Sequence, residues 1–130
     1  MSWGLQSRLA RIIRGDGRAV MLAVDHGYFM GPTSRLEDPR KTITPLLPYT
    51  DSLMVTRGVL RNCVDPKADV PVVLRVSGGT SILNEDLSKE KITTSVKDAL
   101  RLNASAVAMS IFVGAPHEHD TLVSLGQLVN

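Results

Sequence analysis

The chain has 130 residues, of which 43% are hydrophobic and 22% are charged. This composition is ordinary for a folded globular protein and unlike that of a disordered one. The formal net charge of +2 is too small, and the basic residues are too scattered, to indicate a surface that binds nucleic acid.

Two further features restrict the class of protein. Cys63 is the only cysteine, which excludes an intrachain disulfide and a cysteine-based zinc site. The longest uninterrupted apolar run, residues 20–24, is far shorter than the roughly 18 residues that indicate a membrane span. We therefore expect a cytoplasmic protein that binds neither membrane nor nucleic acid, with one domain over residues 1–130.

The N-terminal segment, residues 1–18, is predicted to be helical. Residues 5–13 have the apolar spacing of an amphipathic helix. The arginines of this segment are compatible with a binding patch, but a solvated helix face is the favoured interpretation.

Four short apolar runs predict β-strands. They span residues 19–24, 52–56, 70–76 and 104–113. Each run is mostly apolar rather than strictly alternating, as expected of parallel strands that are covered on both faces.

Helical patterns separate these runs. Asp38 and Pro39 predict a helix start, and Pro45 predicts that this crossover is short or broken. Ser88 is the candidate cap of a helix over residues 88–102. The remaining helices are predicted near residues 58–63 and over residues 118–129. Strands that alternate with helices predict βαβ units and a parallel α/β sheet.

Polar and small residues follow the predicted strands, where parallel α/β folds collect their reactive groups. Asp25 follows the first strand and is suited to act as a general acid or base, and His26 is suited to move a proton near neutral pH. The alternative is that Asp25 only caps a turn that Gly27 permits.

The other strand ends carry weaker indications. Arg57 can hold an anionic group, although a surface ion pair explains an isolated arginine equally well. Ser77 and Gly78 suit the close approach of a ligand but lack the spacing of a phosphate-binding loop, so a plain turn is favoured. His117 and His119 are two residues apart and point to different helix faces, so no metal site is expected.

The segment over residues 20–33, with the sequence VMLAVDHGYFMGPT, resembles the first strand and loop of the archaeal-type class I aldolase family. Residues 3–9, 56–61 and 72–78 continue the resemblance and are most similar to the thiolases of that family. The likeness extends over nearly the whole chain.

This resemblance implies a TIM-barrel fold, of which residues 19–130 form the first four βα units, a truncated half-barrel. It also implies the transfer of an acetyl group from a phosphorylated 3-hydroxypentane-2,4-dione to coenzyme A, with release of dihydroxyacetone phosphate. Coenzyme A would be a co-substrate, and no bound cofactor is expected. The alternatives are a Schiff-base aldolase that acts on a sugar phosphate such as fructose 1,6-bisphosphate, and a non-catalytic remnant that self-associates.

The resemblance also assigns roles to residues. Asp25 would be the catalytic acid or base, and His26 would help to orient or protonate a phosphorylated substrate. The family's nucleophilic lysine lies on the sixth strand, beyond this chain, so we expect the chain to be inactive alone. The first and fourth strands of a half-barrel have unpaired, uncharged edges, so we also expect a homo-oligomer. The expected substrate-binding residues are Gly27, Arg57, Ser77, Gly78 and Ser110.

Overall fold

The predicted strands form a parallel sheet in the computed structural model, which describes residues 1–129. The strands are β1 (Met21–Ala23), β2 (Ser52–Thr56), β3 (Val72–Arg75), β4 (Ser77–Gly78), β5 (Lys91–Ile92) and β6 (Ala106–Ala108). Strands β1, β2, β3 and β6 lie side by side in that order and all run parallel. The predicted parallel α/β sheet is confirmed, although three of its strands are shorter than predicted.

Helices connect the strands in the predicted alternation. They are α1 (Trp3–Ile12), α2 (Gly27–Met30), α3 (Pro39–Leu46), α4 (Arg57–Cys63), α5 (Val96–Arg101) and α6 (Glu118–Val129). Pro39 opens α3, and the helix gives way to a 3-10 turn, Leu47–Tyr49, two residues after Pro45. The short, broken crossover and the short α4 are therefore as predicted.

The predicted helix over residues 88–102 is wrong in its first half. Helix α5 begins at Val96, and its cap is Ser95, whose Oγ accepts a hydrogen bond of 3.1 Å from the Asp98 amide. The Ser88 side chain instead bonds Asp86, and β5 pairs with β4 in an antiparallel ladder. A local bond between a serine and an aspartate competes with helix formation, and the pairing with β4 holds the segment at the end of the sheet.

The two faces of the parallel sheet differ in coverage. One face carries Leu53, Val55, Leu74 and Val76, which are fully buried under the helices together with Ile43 of α3. This face is the apolar core.

The opposite face is less covered. Ala23, Met54, Val73 and Ala106 lie in one row across the ladder, and only Val73 of the four is buried. The polar residues at the carboxyl ends of the strands lie above this face.

We predict that Leu74→Ala lowers the free energy of unfolding by about 2–5 kcal/mol, because it removes a side chain that is 0% exposed and leaves a cavity. The matched control is Leu83→Ala, since Leu83 is 94% exposed and its truncation changes little. Urea denaturation followed by circular dichroism gives both values. Equal effects of the two substitutions would contradict this location of the core.

Candidate active site

Three strand ends bring polar side chains to one edge of the sheet. Asp25 follows β1, Ser77 follows Arg75 at the end of β3, and Ser110 follows β6. Because these strands are parallel and in register, their carboxyl ends meet at the same edge. The structure therefore places Asp25 and Ser77 at one end of the sheet, as the sequence predicts.

Arg75 is the centre of this cluster. Its Nη1 donates a hydrogen bond of 3.3 Å to Asp25 Oδ2, and its Nη2 lies 3.0 Å from Glu90 Oε2. The side chains are nearly buried: 10% of Arg75, 9% of Asp25 and 2% of Glu90 is exposed. One guanidinium thus neutralises two carboxylates only in part, and the three groups together carry one negative charge in excess.

Tyr28 closes the cluster from helix α2. Its hydroxyl donates to Glu90 Oε1 and accepts from Arg75 Nη2, and the Arg75 Cζ lies 4.5 Å from the centre of the tyrosine ring. The ring therefore adds a cation–π contact to the hydrogen bonds.

Two serines link the cluster to the remaining strand ends. Ser77 Oγ donates to Glu90 Oε2 at 2.7 Å and accepts from the Ser110 amide at 3.1 Å. Arg75 Nη2 also donates to Ser110 Oγ. The ends of β1, β3 and β6 and the segment before β5 are joined by one hydrogen-bond network.

Burial, reinforced by the hydrogen bond to Glu90, raises the pKa of the Tyr28 phenol to about 12, although the nearby charge of Arg75 acts in the opposite direction. Tyr28 therefore remains protonated at neutral pH. It is a hydrogen-bond donor in this site rather than a proton acceptor.

A cleft of about 350 Å³ lies beside the cluster. Asp25, Arg75 and Ser110 contribute its polar surface, and Met54, Phe29, Leu87 and Phe112 contribute apolar walls. Its size is that of a small-molecule pocket, and apolar walls around a few polar groups are typical of such sites.

The other predicted site residues have different environments, and Ser77 and Gly78 border a second depression rather than this cleft. His26 lines it and is exposed, and Gly27 begins α2. Gly78 lies against Tyr28, because a Cβ at this position would lie 3.3 Å from Tyr28 Cδ2, and the ring would have to move by a few tenths of an ångström to admit it. Gly78 thus allows the tyrosine ring to approach the sheet.

Arg57 lies apart from the Asp25 cluster, in an ion pair. Its Nη1 is 3.0 Å from Asp98 Oδ2, and Arg61 shares the same carboxylate. The hydrogen bond from Arg57 lowers the pKa of Asp98. Arg57 also borders a shallow depression of about 240 Å³ that reaches Arg75 and Gly78.

Sequence reasoning missed the residues that organise the site. Arg75 carried a usable signal, because a charged residue within an otherwise apolar run that forms a buried strand requires a partner. Tyr28 lies in the segment over residues 20–33 that resembles the aldolase family, but its residue type and position alone do not indicate a role. Glu90 gave no signal, since it falls within the segment that was predicted to be helical.

The described residues offer neither a cluster of metal ligands nor a membrane-spanning helix. Among residues 1–129, no three histidine, cysteine, aspartate or glutamate side chains come together as metal ligands. No helix within these residues has the length and apolar character needed to cross a membrane. His117 lies 3.6 Å from Asp86 rather than beside His119.

Parallel βα units with a buried carboxylate at the end of the first strand define part of a TIM-barrel enzyme of the aldolase class. The chain belongs to the DeoC/LacD family of aldolases, whose family model matches residues 19–129. The resemblance to an aldolase family that the sequence suggested is therefore confirmed.

Curated relatives match the whole chain. It is 53% identical over 131 residues to an uncharacterized aldolase of Pasteurella multocida. It is 52% identical over 131 residues to the 3-hydroxy-5-phosphonooxypentane-2,4-dione thiolase of Yersinia enterocolitica. Both matches cover 100% of this chain and 45% of the relative, so the chain spans about half the length of these proteins.

Solved structures agree on the fold. The chain superposes on a Schiff-base-forming fructose-1,6-bisphosphate aldolase with a TM-score of 0.80 and 26% identity, covering 95% of this chain and 51% of the other. An archaeal fructose-1,6-bisphosphate aldolase with its catalytic lysine bound to a carbinolamine intermediate gives a TM-score of 0.79 and 27% identity, with coverages of 95% and 51%. The expected half-barrel is confirmed.

We predict that Tyr28 titrates at about pH 12 in an alkaline ultraviolet titration, in a step identified by its absence in Tyr28→Phe. Glu90→Gln lowers the pKa of Tyr28 because the hydrogen bond and the charge of Glu90 both raise it. Glu85→Gln, an exposed substitution nearby in the chain, serves as the control.

The ultraviolet absorbance is recorded directly after a rapid pH jump, before the protein unfolds. An unfolded tyrosine has a pKa of about 10, which is below the folded value of Tyr28. The contribution of Tyr28 to the free energy of unfolding is therefore fully present below about pH 10 and is lost as the pH rises toward 12. A Tyr28 step at about pH 10, the value of an unperturbed phenol, or one that Glu90→Gln leaves in place, would contradict the network.

Proposed function

We propose that the chain is the N-terminal half of a thiolase that transfers an acetyl group from 3-hydroxy-5-phosphonooxypentane-2,4-dione to coenzyme A, releasing dihydroxyacetone phosphate. The observation that carries this proposal is the buried Asp25 beside a cleft at the end of β1, in a chain that is 52% identical throughout to a thiolase of this substrate. Coenzyme A is the proposed co-substrate.

Asp25 is the proposed acid or base of the reaction. Breaking a carbon–carbon bond next to a carbonyl requires a proton to be moved, and a carboxylate at the edge of a small cleft is suited to this task. His26, exposed at the same cleft, is the proposed residue that orients or protonates the substrate.

The charge of the site indicates how the substrate lies. Asp25, Glu90 and Arg75 together carry one excess negative charge, which disfavours a phosphate group beside them. We therefore place the carbonyl end of the substrate against Asp25 and Ser110, and its phosphate away from this cluster. Gly27 is the proposed backbone contact at the cleft rim.

Arg57 is the proposed contact for an anionic group of the substrate or coenzyme A. Arg57 and Arg61 share Asp98, so this group of three carries one excess positive charge at the surface. It borders the depression that Ser77 and Gly78 also line.

A Schiff-base aldolase acting on a sugar phosphate such as fructose 1,6-bisphosphate is the second candidate. It is supported by the TM-score of 0.80 to an aldolase of that kind, but the 26% identity to it is half of that to the thiolase. A non-catalytic remnant that self-associates is the third. A cytoplasmic location is proposed because the single cysteine, Cys63, is free.

The test of this function compares the chain alone with a chimera in which it is fused to the remaining part of the Yersinia thiolase. All lysines of the chain are exposed, so we expect no borohydride-trapped adduct with the substrate in the chain alone. The chimera is expected to release acetyl-coenzyme A, measured by mass spectrometry. A folded chimera that cleaves only fructose 1,6-bisphosphate would favour the aldolase, and one without any turnover would favour the remnant.

Within the chimera, Asp25→Asn is expected to lower kcat by about 10²–10⁴-fold, because the variant cannot accept or donate the proton. Asp38→Asn is the control, since Asp38 is exposed and pairs only with Lys41 among the described residues. Equal kcat values for the two variants would remove Asp25 from the proposed mechanism.

We also propose that the 130-residue polypeptide self-associates. Within residues 1–129, β1 pairs only with β2 and β6 only with β3, which leaves an uncharged edge on each side of the sheet. Light scattering across a dilution series is expected to give masses above the 14.1 kDa of one chain.

Met21→Lys is expected to weaken this association, because a charge on an edge strand opposes pairing with another chain. Met30→Lys is the matched control: Met21 is 38% and Met30 is 39% exposed, but Met30 lies in α2. A stable monomer at micromolar concentration would show that the edges of β1 and β6 do not pair with another chain.

A further inference from the structure

The two oxygens of Asp25 have different environments. Oδ2 accepts a hydrogen bond of 3.3 Å from Arg75 Nη1. Oδ1 receives no hydrogen bond from any of residues 1–129, and the cleft of about 350 Å³ opens beside this carboxylate. One oxygen is therefore held and the other is left for a ligand.

This single contact is not the arrangement that the two groups favour by themselves. A guanidinium presents parallel N–H groups that match both oxygens of a carboxylate, and the two-bond pairing is the stronger one. Arg75 makes only one bond to Asp25 because its Nη2 is engaged elsewhere.

This nitrogen also donates to the Tyr28 hydroxyl and to Ser110 Oγ, and Glu90 is its charged partner. Its oxygens lie 3.1 Å and 3.0 Å from Arg75 Nη2. Glu90 is itself fixed by a 2.7 Å hydrogen bond from Ser77 Oγ and by its position directly before Lys91, which pairs with Gly78. The glutamate is thus held in place independently of Asp25.

We propose that Glu90 is a positioning residue that divides Arg75 between two carboxylates. As the charged acceptor at Nη2, beside Tyr28 and Ser110, it holds this nitrogen away from Asp25 and keeps Oδ1 available for proton transfer. A carboxylate with both oxygens bonded to a guanidinium is stabilised in its charged form and is a weaker base. The catalytic part of this inference rests on the proposed function, whereas the arrangement of the three side chains does not.

The arrangement is tested in the chain itself with ¹³C-labelled aspartate. The Cγ signal of Asp25 is assigned from its loss in Asp25→Asn and is then measured at neutral pH in Glu90→Gln and in the control Glu85→Gln. We expect Glu90→Gln to shift the Asp25 signal, because Arg75 turns to take the second oxygen. We expect the control to leave it unchanged.

A double-mutant comparison separates capture by Arg75 from the loss of a nearby charge. A lysine at position 75 keeps the positive charge but cannot form the paired bonds. The shift caused by Glu90→Gln is therefore expected to disappear in an Arg75→Lys background. An unchanged Asp25 signal in Glu90→Gln, or a shift that persists with Arg75→Lys, overturns the inference.

Circular dichroism verifies that each variant is folded. If Glu90→Gln does not fold, Glu90→Asp takes its place, because the shorter side chain keeps the charge but withdraws it from Nη2. The same shift of the Asp25 signal is expected, and its absence likewise overturns the inference.

The catalytic consequence is measured in the chimera. Glu90→Gln is expected to lower kcat by about tenfold while KM changes much less, since it acts on the proton-transferring group rather than on binding. Glu85→Gln is expected to match the unsubstituted chimera. If the Asp25 signal shifts but the unsubstituted chimera is inactive, the proposed thiolase function is refuted and the arrangement of the three side chains is supported. If the chimera is active but the Asp25 signal does not shift, the role of Glu90 is refuted.

Discussion

The structure of this half-barrel depends on one buried guanidinium that is shared by two buried carboxylates. Arg75 cannot lose its charge in a protein, so a fold that buries it must supply acceptors. Asp25 and Glu90 supply them from opposite directions in the chain. Removal of one partner from a buried pair of this kind typically costs about 3–5 kcal/mol, which makes the cluster a constraint on every segment that contributes to it.

The constraint explains the irregular region after β3. A regular βα unit would continue from the strand into a helix, but Glu90 must reach the end of the sheet to meet Arg75. The chain therefore forms the short antiparallel ladder of β4 and β5 before α5 begins at Val96. The side chain of Tyr28 fills the space between the ladder and the first strand end, against the bare backbone of Gly78.

The charge and lining of the site indicate which part of the proposed substrate it suits. This half offers a carboxylate with one free oxygen, apolar walls and an excess negative charge, which suit the reacting carbonyl rather than a phosphate. On the proposed function, the nucleophilic lysine that the resemblance implies belongs to the part of the relatives that this chain does not match.

The sequence by itself determined the parallel βα organisation, because apolar runs, proline positions and strand ends are local properties of the chain. It placed Asp25 at a strand end and kept an ion pair as the alternative for Arg57. It did not determine that Arg75 pairs with a residue 50 positions away, nor that Glu90 leaves a helical pattern to join them. Only the tertiary structure decided these contacts, because the partner of a buried charge is set by which strand ends the sheet brings together.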